Sequence, residues 1–127
     1  MPEQPKAILI VDSDGDTIEI LDRAIRDRGY RPLAIRRGAQ MISTLRSQKP
    51  AAVIMDISLA DRDGGPLIRQ IKDDWEVKKI PIVIHSGYPN RLNRANFERV
   101  EGVFEKPADP DLLLDLVQRA IRKAAES

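Results

Sequence analysis

Residues 51–65, AAVIMDISLADRDGG, decide how the rest of the chain is read. An apolar run, Ala51 to Met55, stops at Asp56 and gives way to a polar, turn-rich segment with Asp61, Asp63, Gly64 and Gly65. A short continuous apolar run bounded by turn residues reads as a strand buried on both faces, as in parallel sheets. Its last neighbour is then a carboxylate at the carboxyl edge of a sheet, where open α/β folds place their ligands. Working outward, three other runs end in comparable fashion. Ile8 to Val11 ends in Asp12, Ile80 to Ile84 in His85-Ser86, and Gly102-Val103-Phe104 leads to Lys106-Pro107. Two carboxylates, a hydroxyl and an ammonium are thereby expected along one edge.

Helical patterns fill the intervals. Strand one is Ala7 to Val11, and Ile18, Leu21, Ala24 and Ile25 form a stripe that Gly29 terminates. A short strand, Leu33 to Ile35, precedes a second helix marked by Ala39, Ile42 and Leu45 and ended before Lys49-Pro50. After the central strand, Pro66 opens a third helix with Leu67 or Ile68, Ile71 and Trp75 on its inner face. Strand four is Ile80 to His85; a weaker helix, Asn90 to Arg99, turns Leu92, Ala95 and Phe97 inward. Strand five is Gly102 to Glu105. Asp109 caps a fifth helix with Pro110 in its first turn and the stripe Leu113, Leu116, Val117, Ala120, Ile121, Ala124. Strands alternating with helices predict an α/β, three-layer sandwich with a parallel sheet and right-handed crossovers.

Composition narrows the function classes. The 127 residues suit one domain, 1–127, with its core at about 7–124. With 42% hydrophobic and 32% charged residues the chain reads as an ordinary globular protein. Twenty-one basic against 20 acidic residues leave a net charge of +1, so no bulk field draws nucleic acid or an anionic membrane. The absence of Cys excludes disulfides, thiol catalysis and Cys-based zinc sites, and a single His excludes His-rich metal centres. MPEQPKA is too short and polar for a signal peptide, and no apolar run approaches the roughly 18 residues of a membrane span. A cytoplasmic protein is expected.

ILIVDSD, VIMDISLADRDG, IPIVIHSG and FEKP, in this order and spacing, resemble the receiver domain of two-component response regulators, over Ile8 to Ile121. The resemblance implies a flavodoxin-like, doubly wound sheet of five strands in the order 2-1-3-4-5 with five helices. It implies that Asp56 accepts a phosphoryl group from a partner's phosphohistidine. Asp12, Asp56 and the backbone carbonyl of Ser58 would hold Mg²⁺, with Ser13 or Asp14 as a further ligand. Ser86 would bind the phosphoryl group and move with it, Lys106 would pair with its oxygens, and Pro107 would follow through a cis bond. The chemistry asks for these types independently: a carboxylate attacks an anionic phosphoryl group only when that charge is screened.

The pattern has three departures. The family's second acid after strand one is Ser13 here, so Mg²⁺ is expected to bind about tenfold or more weakly, an ion pair being worth several kcal/mol even at an effective dielectric of about 20. The family's aromatic switch residue is Val103, while Phe104 points to the opposite strand face. The usual proline of the loop after the phosphoacceptor is Ala60.

Three function classes compete. The leading expectation is a phosphoryl-accepting switch, not an enzyme beyond weak self-phosphorylation and self-dephosphorylation. It would pair with a histidine kinase or histidine phosphotransfer protein and a downstream protein target, without direct nucleic-acid or membrane contact and with oligomeric state open. By resemblance its partner surface includes Arg91, Arg94 and Phe104. If the natural chain ends with the fifth helix, output is expected through protein contacts. A pseudo-receiver that binds partners without phosphorylation is the alternative, which Ser13 and Val103 favour. A haloacid dehalogenase-type phosphatase using Asp12 and Asp14 is a third, since VDSDGDT resembles its signature; it leaves Asp56 without a role and lacks a later acidic motif. Asp14 and Asp16 are otherwise expected to be solvated or to cap the first helix, His85 to be a buried spacer, and Arg91, Arg94 and Arg99 to line a solvated face.

Overall fold

The computed structural model describes residues 4–126. Strands β1 (Ala7–Val11), β2 (Arg31–Ile35), β3 (Ala52–Met55), β4 (Ile82–Ser86) and β5 (Gly102–Glu105) form one parallel sheet in the order β2-β1-β3-β4-β5. The helices are α1 (Gly15–Asp27), α2 (Met41–Gln48), α3 (Gly64–Asp73), α4 (Arg94–Phe97) and α5 (Pro110–Ala125). Because side chains alternate along a strand, the central strands are apolar on both faces. Ile8, Ile10, Ile54 and Val83 pack against Leu21 and Ile25 of α1 and Leu113 and Val117 of α5. On the opposite face Leu9, Val11, Val53 and Met55 meet Met41 and Leu45 of α2 and Leu67, Ile68 and Ile71 of α3. The helices after β1 and β3 therefore leave on opposite faces. A crevice opens between these neighbouring strand ends, as at any switch point of this architecture.

Helix ends follow local chemistry. Asp14, Asp63 and Asp109 each cap a helix by accepting a backbone N–H two residues on, and Gly29 takes φ 83° just past α1. The three capped helices follow β1, β3 and β5, the strands that lead to Asp12, Asp56 and Lys106.

Several sequence expectations are corrected. The expected ten-residue helix 90–99 is a 3₁₀ turn at Pro89–Arg91 followed by the four-residue α4. Asn93 caps α4 by accepting from Asn96 N–H, which restarts the helix and rotates its faces. Asn96 is consequently buried and donates to the Gly65 carbonyl, whereas Ala95 and Phe97 face solvent, Phe97 at 58% exposed. Trp75 is not on the inner face of α3. That helix stops at Asp73, the Asp74 carboxylate accepts from Glu76 N–H to make a turn, and Trp75 stands 80% exposed. A 3₁₀ turn at Gly38–Gln40 delays α2 to Met41, so Met41 replaces Ala39 in the core. Leu114 is fully buried in α5, while Leu116 is only half-buried. Strand β2 starts at Arg31 and β4 runs Ile82–Ser86, which makes Ser86 the last strand residue. No described helix is long and apolar enough to cross a membrane.

Candidate functional site

Strand register sets the site. Val11 pairs with Met55, so the next residues, Asp12 and Asp56, emerge side by side; their N–H groups continue the ladder to Ile35 and Val11 carbonyls. Ser86 pairs with Glu105, and Lys106 N–H donates to the Ser86 carbonyl at 2.9 Å, which seats Lys106 one residue past β5. Its side chain reaches across the end of β4. Nζ lies 2.9 Å from Asp12 Oδ2 and 3.0 Å from Asp56 Oδ2. The other carboxylate oxygens are held by their own loops: Asp12 Oδ1 accepts from Asp14 N–H and Asp56 Oδ1 from Ser58 N–H, each at 2.9 Å. Neither carboxylate can swing freely, and both are buried, Asp12 at 2% and Asp56 at 8% exposed.

Two carboxylates face one ammonium, which leaves the cluster one negative charge in excess. Burial works against the charge on Lys106, but hydrogen bonds to Asp12 and Asp56 and their charges outweigh it and hold its pKa above the ordinary lysine value. Ser86 is fully buried at the same edge, its Oγ accepting from Tyr88 N–H at 3.1 Å. The Lys106-Pro107 peptide is cis. His85 is 7% exposed, and neither ring nitrogen has a hydrogen-bond partner among the described residues. Burial, then the neighbouring Lys106 charge, pushes its pKa down, with Asp12 and Asp56 opposing.

Among the expected site residues, Asp12, Asp56, Ser86 and Lys106 thus meet at one edge. Asp14 has another occupation. Its Oδ1 accepts from Asp16 N–H and its Oδ2 from the Thr17 hydroxyl, and these bonds lower its pKa. Ser13 Oγ is engaged by Ala60 N–H at 3.0 Å. Phe104 is half-buried against the α1–α5 side and Val103 against the other, as their alternation requires. Arg91 lies 4.4 Å over the Tyr88 ring, and Arg94 pairs loosely with Glu98 on exposed surface.

Three contributors escaped the sequence reading. Thr17 had a local signal, since Asp14 is a favourable N-cap residue and Thr17 stands one helical turn further on, within reach of its carboxylate. Arg36, which donates to the Ser13 carbonyl, and Asp61, which accepts from Gly38 and Ala39 N–H, act across more than twenty residues and left no such trace.

Comparison with known proteins fits this geometry. The family model for the response regulator receiver domain matches residues 8–118. The DNA-binding transcriptional regulator NtrC of Escherichia coli K12 is 30% identical over 117 residues, which cover 90% of this chain but only 24% of that regulator. A sensor protein from Polaromonas sp. JS666 superposes with a TM-score of 0.86 at 27% identity, over 94% of this chain and 98% of its own. The receiver domain of the sensor histidine kinase PA1611 of Pseudomonas aeruginosa PAO1 has the same fold, with TM-score 0.81, 23% identity, and coverage of 93% and 98%; that structure holds magnesium in its active-site cleft.

Proposed function

The chain belongs to the response regulator receiver domain family, and we propose that within it Asp56 accepts a phosphoryl group from a histidine kinase or histidine phosphotransfer protein. The observation that carries this reading is the single ammonium of Lys106 bridging Asp12 and Asp56 at a sheet edge. Asp56 Oδ1 is fixed by Ser58 N–H, and Oδ2 is the oxygen that Lys106 orients for attack. Lys106 then faces the incoming phosphoryl oxygens, whose negative charge it offsets without moving far. Ser86, at the end of β4, exchanges its bond from Tyr88 N–H for a contact with the new oxygens, which draws the following loop inward.

Mg²⁺ would be held by Asp12, Asp56 and the Ser58 carbonyl. An all-oxygen donor set with one uncompensated negative charge fits a hard cation. No group of three or more His, Cys, Asp or Glu side chains converges among the described residues, so water would complete the coordination and binding would be weak. When bound, the ion supplies further charge neutralisation to the transferring group. The protein acts in the cytoplasm as a switch rather than through turnover, and its output passes to a downstream protein through the surface that includes Arg91, Arg94 and Phe104.

Intact mass after treatment with phosphoramidate, with and without Mg²⁺, tests the reading. One added phosphoryl group is expected on the unaltered protein and none on Asp56→Asn. No gain at millimolar Mg²⁺ would point instead to a phosphorylation-independent binding module. Loss with Asp12→Asn but retention with Asp56→Asn would point to a dehalogenase-type phosphatase.

A further inference from the structure

Ser13 occupies the position where the resemblance places a second acid, and its contacts give it a different task. Its Oγ accepts from the backbone N–H of Ala60 at 3.0 Å and donates, at a longer 3.5 Å, to the Arg36 carbonyl. Arg36 answers by donating Nη2 to the Ser13 carbonyl at 2.7 Å. Its guanidinium lies across the β1–α1 loop, 3.6 Å from where a side chain on Gly15 would begin. A second tie runs between the other two loops: the Asp61 carboxylate accepts from Gly38 N–H at 2.8 Å and Ala39 N–H at 3.0 Å. The loops that follow β1, β2 and β3 are thereby fastened to one another.

Between these ties the segment after Asp56 has little freedom. Ser58 N–H is bound to Asp56, Ile57 and Leu59 are buried in the core, and Gly64 N–H donates to the Ile57 carbonyl at 2.7 Å. Ala60 is the first exposed residue after the buried Leu59, and its N–H donates to Ser13 Oγ.

We infer that Ser13 is a positioning residue whose hydroxyl latches the phosphoacceptor loop through Ala60, so that the loop is ordered by a neutral hydrogen bond instead of through a metal. The inference rests on the reading of Asp56 as phosphoacceptor. The physical difference is one of charge. A carboxylate at position 13 would add a third negative charge beside Asp12 and Asp56 and need a cation to hold it there. A hydroxyl accepts from Ala60 and donates to Arg36 with no counter-ion. Loop order and Mg²⁺ affinity are therefore separable in this chain.

Hydrogen exchange of residues 57–62, Mg²⁺ affinity and the rate of modification by phosphoramidate, measured on the unaltered protein, Ser13→Ala, Ser13→Thr and Arg36→Leu, test the latch. Ser13→Ala is expected to speed exchange at 57–62 about tenfold, the loss of one hydrogen bond. It is also expected to slow modification severalfold at saturating Mg²⁺ while leaving Mg²⁺ affinity within about twofold. Ser13→Thr restores both readouts, and Arg36→Leu, which leaves the hydroxyl in place, gives an intermediate exchange rate and serves if Ser13→Ala fails to fold. Mg²⁺ alone should hardly alter exchange in the unaltered protein. The latch is overturned if Ser13→Ala leaves exchange at 57–62 unchanged, or if it weakens Mg²⁺ binding in proportion to the loss of rate. Should the unaltered protein take no phosphoryl group, the acceptor reading fails, and the exchange rates still decide the latch.

Discussion

Lys106 Nζ lies 3.0 Å from Asp56 Oδ2, a contact between residues 50 apart in sequence, and the same ammonium lies 2.9 Å from Asp12 Oδ2. One cation serves two buried carboxylates, so the cluster is unequal in what it can lose. Removing Lys106 leaves two like charges facing each other, whereas removing one carboxylate charge leaves a matched pair.

Lys106→Met should therefore cost about 2 kcal/mol of stability, less than a fully buried pair because the Lys106 side chain is 21% exposed. Asp12→Asn should change stability by under about 1 kcal/mol. Urea denaturation of the two variants checks the asymmetry; equal losses would mean that the carboxylates do not repel across the site.

Gly64→Ala is expected to cost about 2 kcal/mol through overpacking. A Cβ there would stand 2.8 Å from the Ile57 Cα, and backbone cannot rotate aside as a side chain can. Since Ile57 follows Asp56, phosphoryl acceptance should fall with stability. Urea midpoints and phosphoramidate modification measure both effects.

His85, being buried, is expected to give the fold a pH dependence. Its pKa is lowered from 6.5 in the folded state, chiefly by burial, so the unfolded chain binds the proton more readily. Its contribution is intact above the unfolded value and is lost as pH falls below about 6.5, down to the folded value, at up to about 1.4 kcal/mol per pH unit. His85→Val should flatten the stability profile between pH 7.5 and 5.5 and cost little at pH 7.5, where the imidazole has no partner among the described residues. Chemical denaturation at several pH values checks the slope.

Truncations should separate true core residues from those that only look like them in sequence. Trp75→Ala and Phe97→Ala should change stability by less than about 0.5 kcal/mol, as exposed positions do. Leu114→Ala should cost about 3 kcal/mol, since it empties a fully buried site in α5. Thermal melts of the three variants suffice.

The sheet was legible because its signals are local. Apolar runs ending in Asp12, Asp56, Ser86 and Lys106 mark strands buried on both faces, and the caps at Asp109-Pro110 and Gly29 are written in neighbouring residues. The region after β4 was not legible. A ten-residue stripe that suited a helix was interrupted when Asn93 captured Asn96 N–H, and one such bond turned Asn96 inward and Phe97 out. Trp75 misled for a similar reason, since α3 ends at Asp73 and the turn at Asp74 carries Trp75 off the helix.

What the sequence determined by itself was the alternation of strand and helix and the chemical types at each strand end, because hydrophobic periodicity and capping act within a few residues. What only the tertiary structure decided was which partner each polar group takes: Lys106 between two acids, Ser13 on Ala60, Asp61 on the turn at Gly38. Those choices depend on sheet order and register, which bring distant loops within hydrogen-bonding reach, and no spacing along the chain encodes a distance across it.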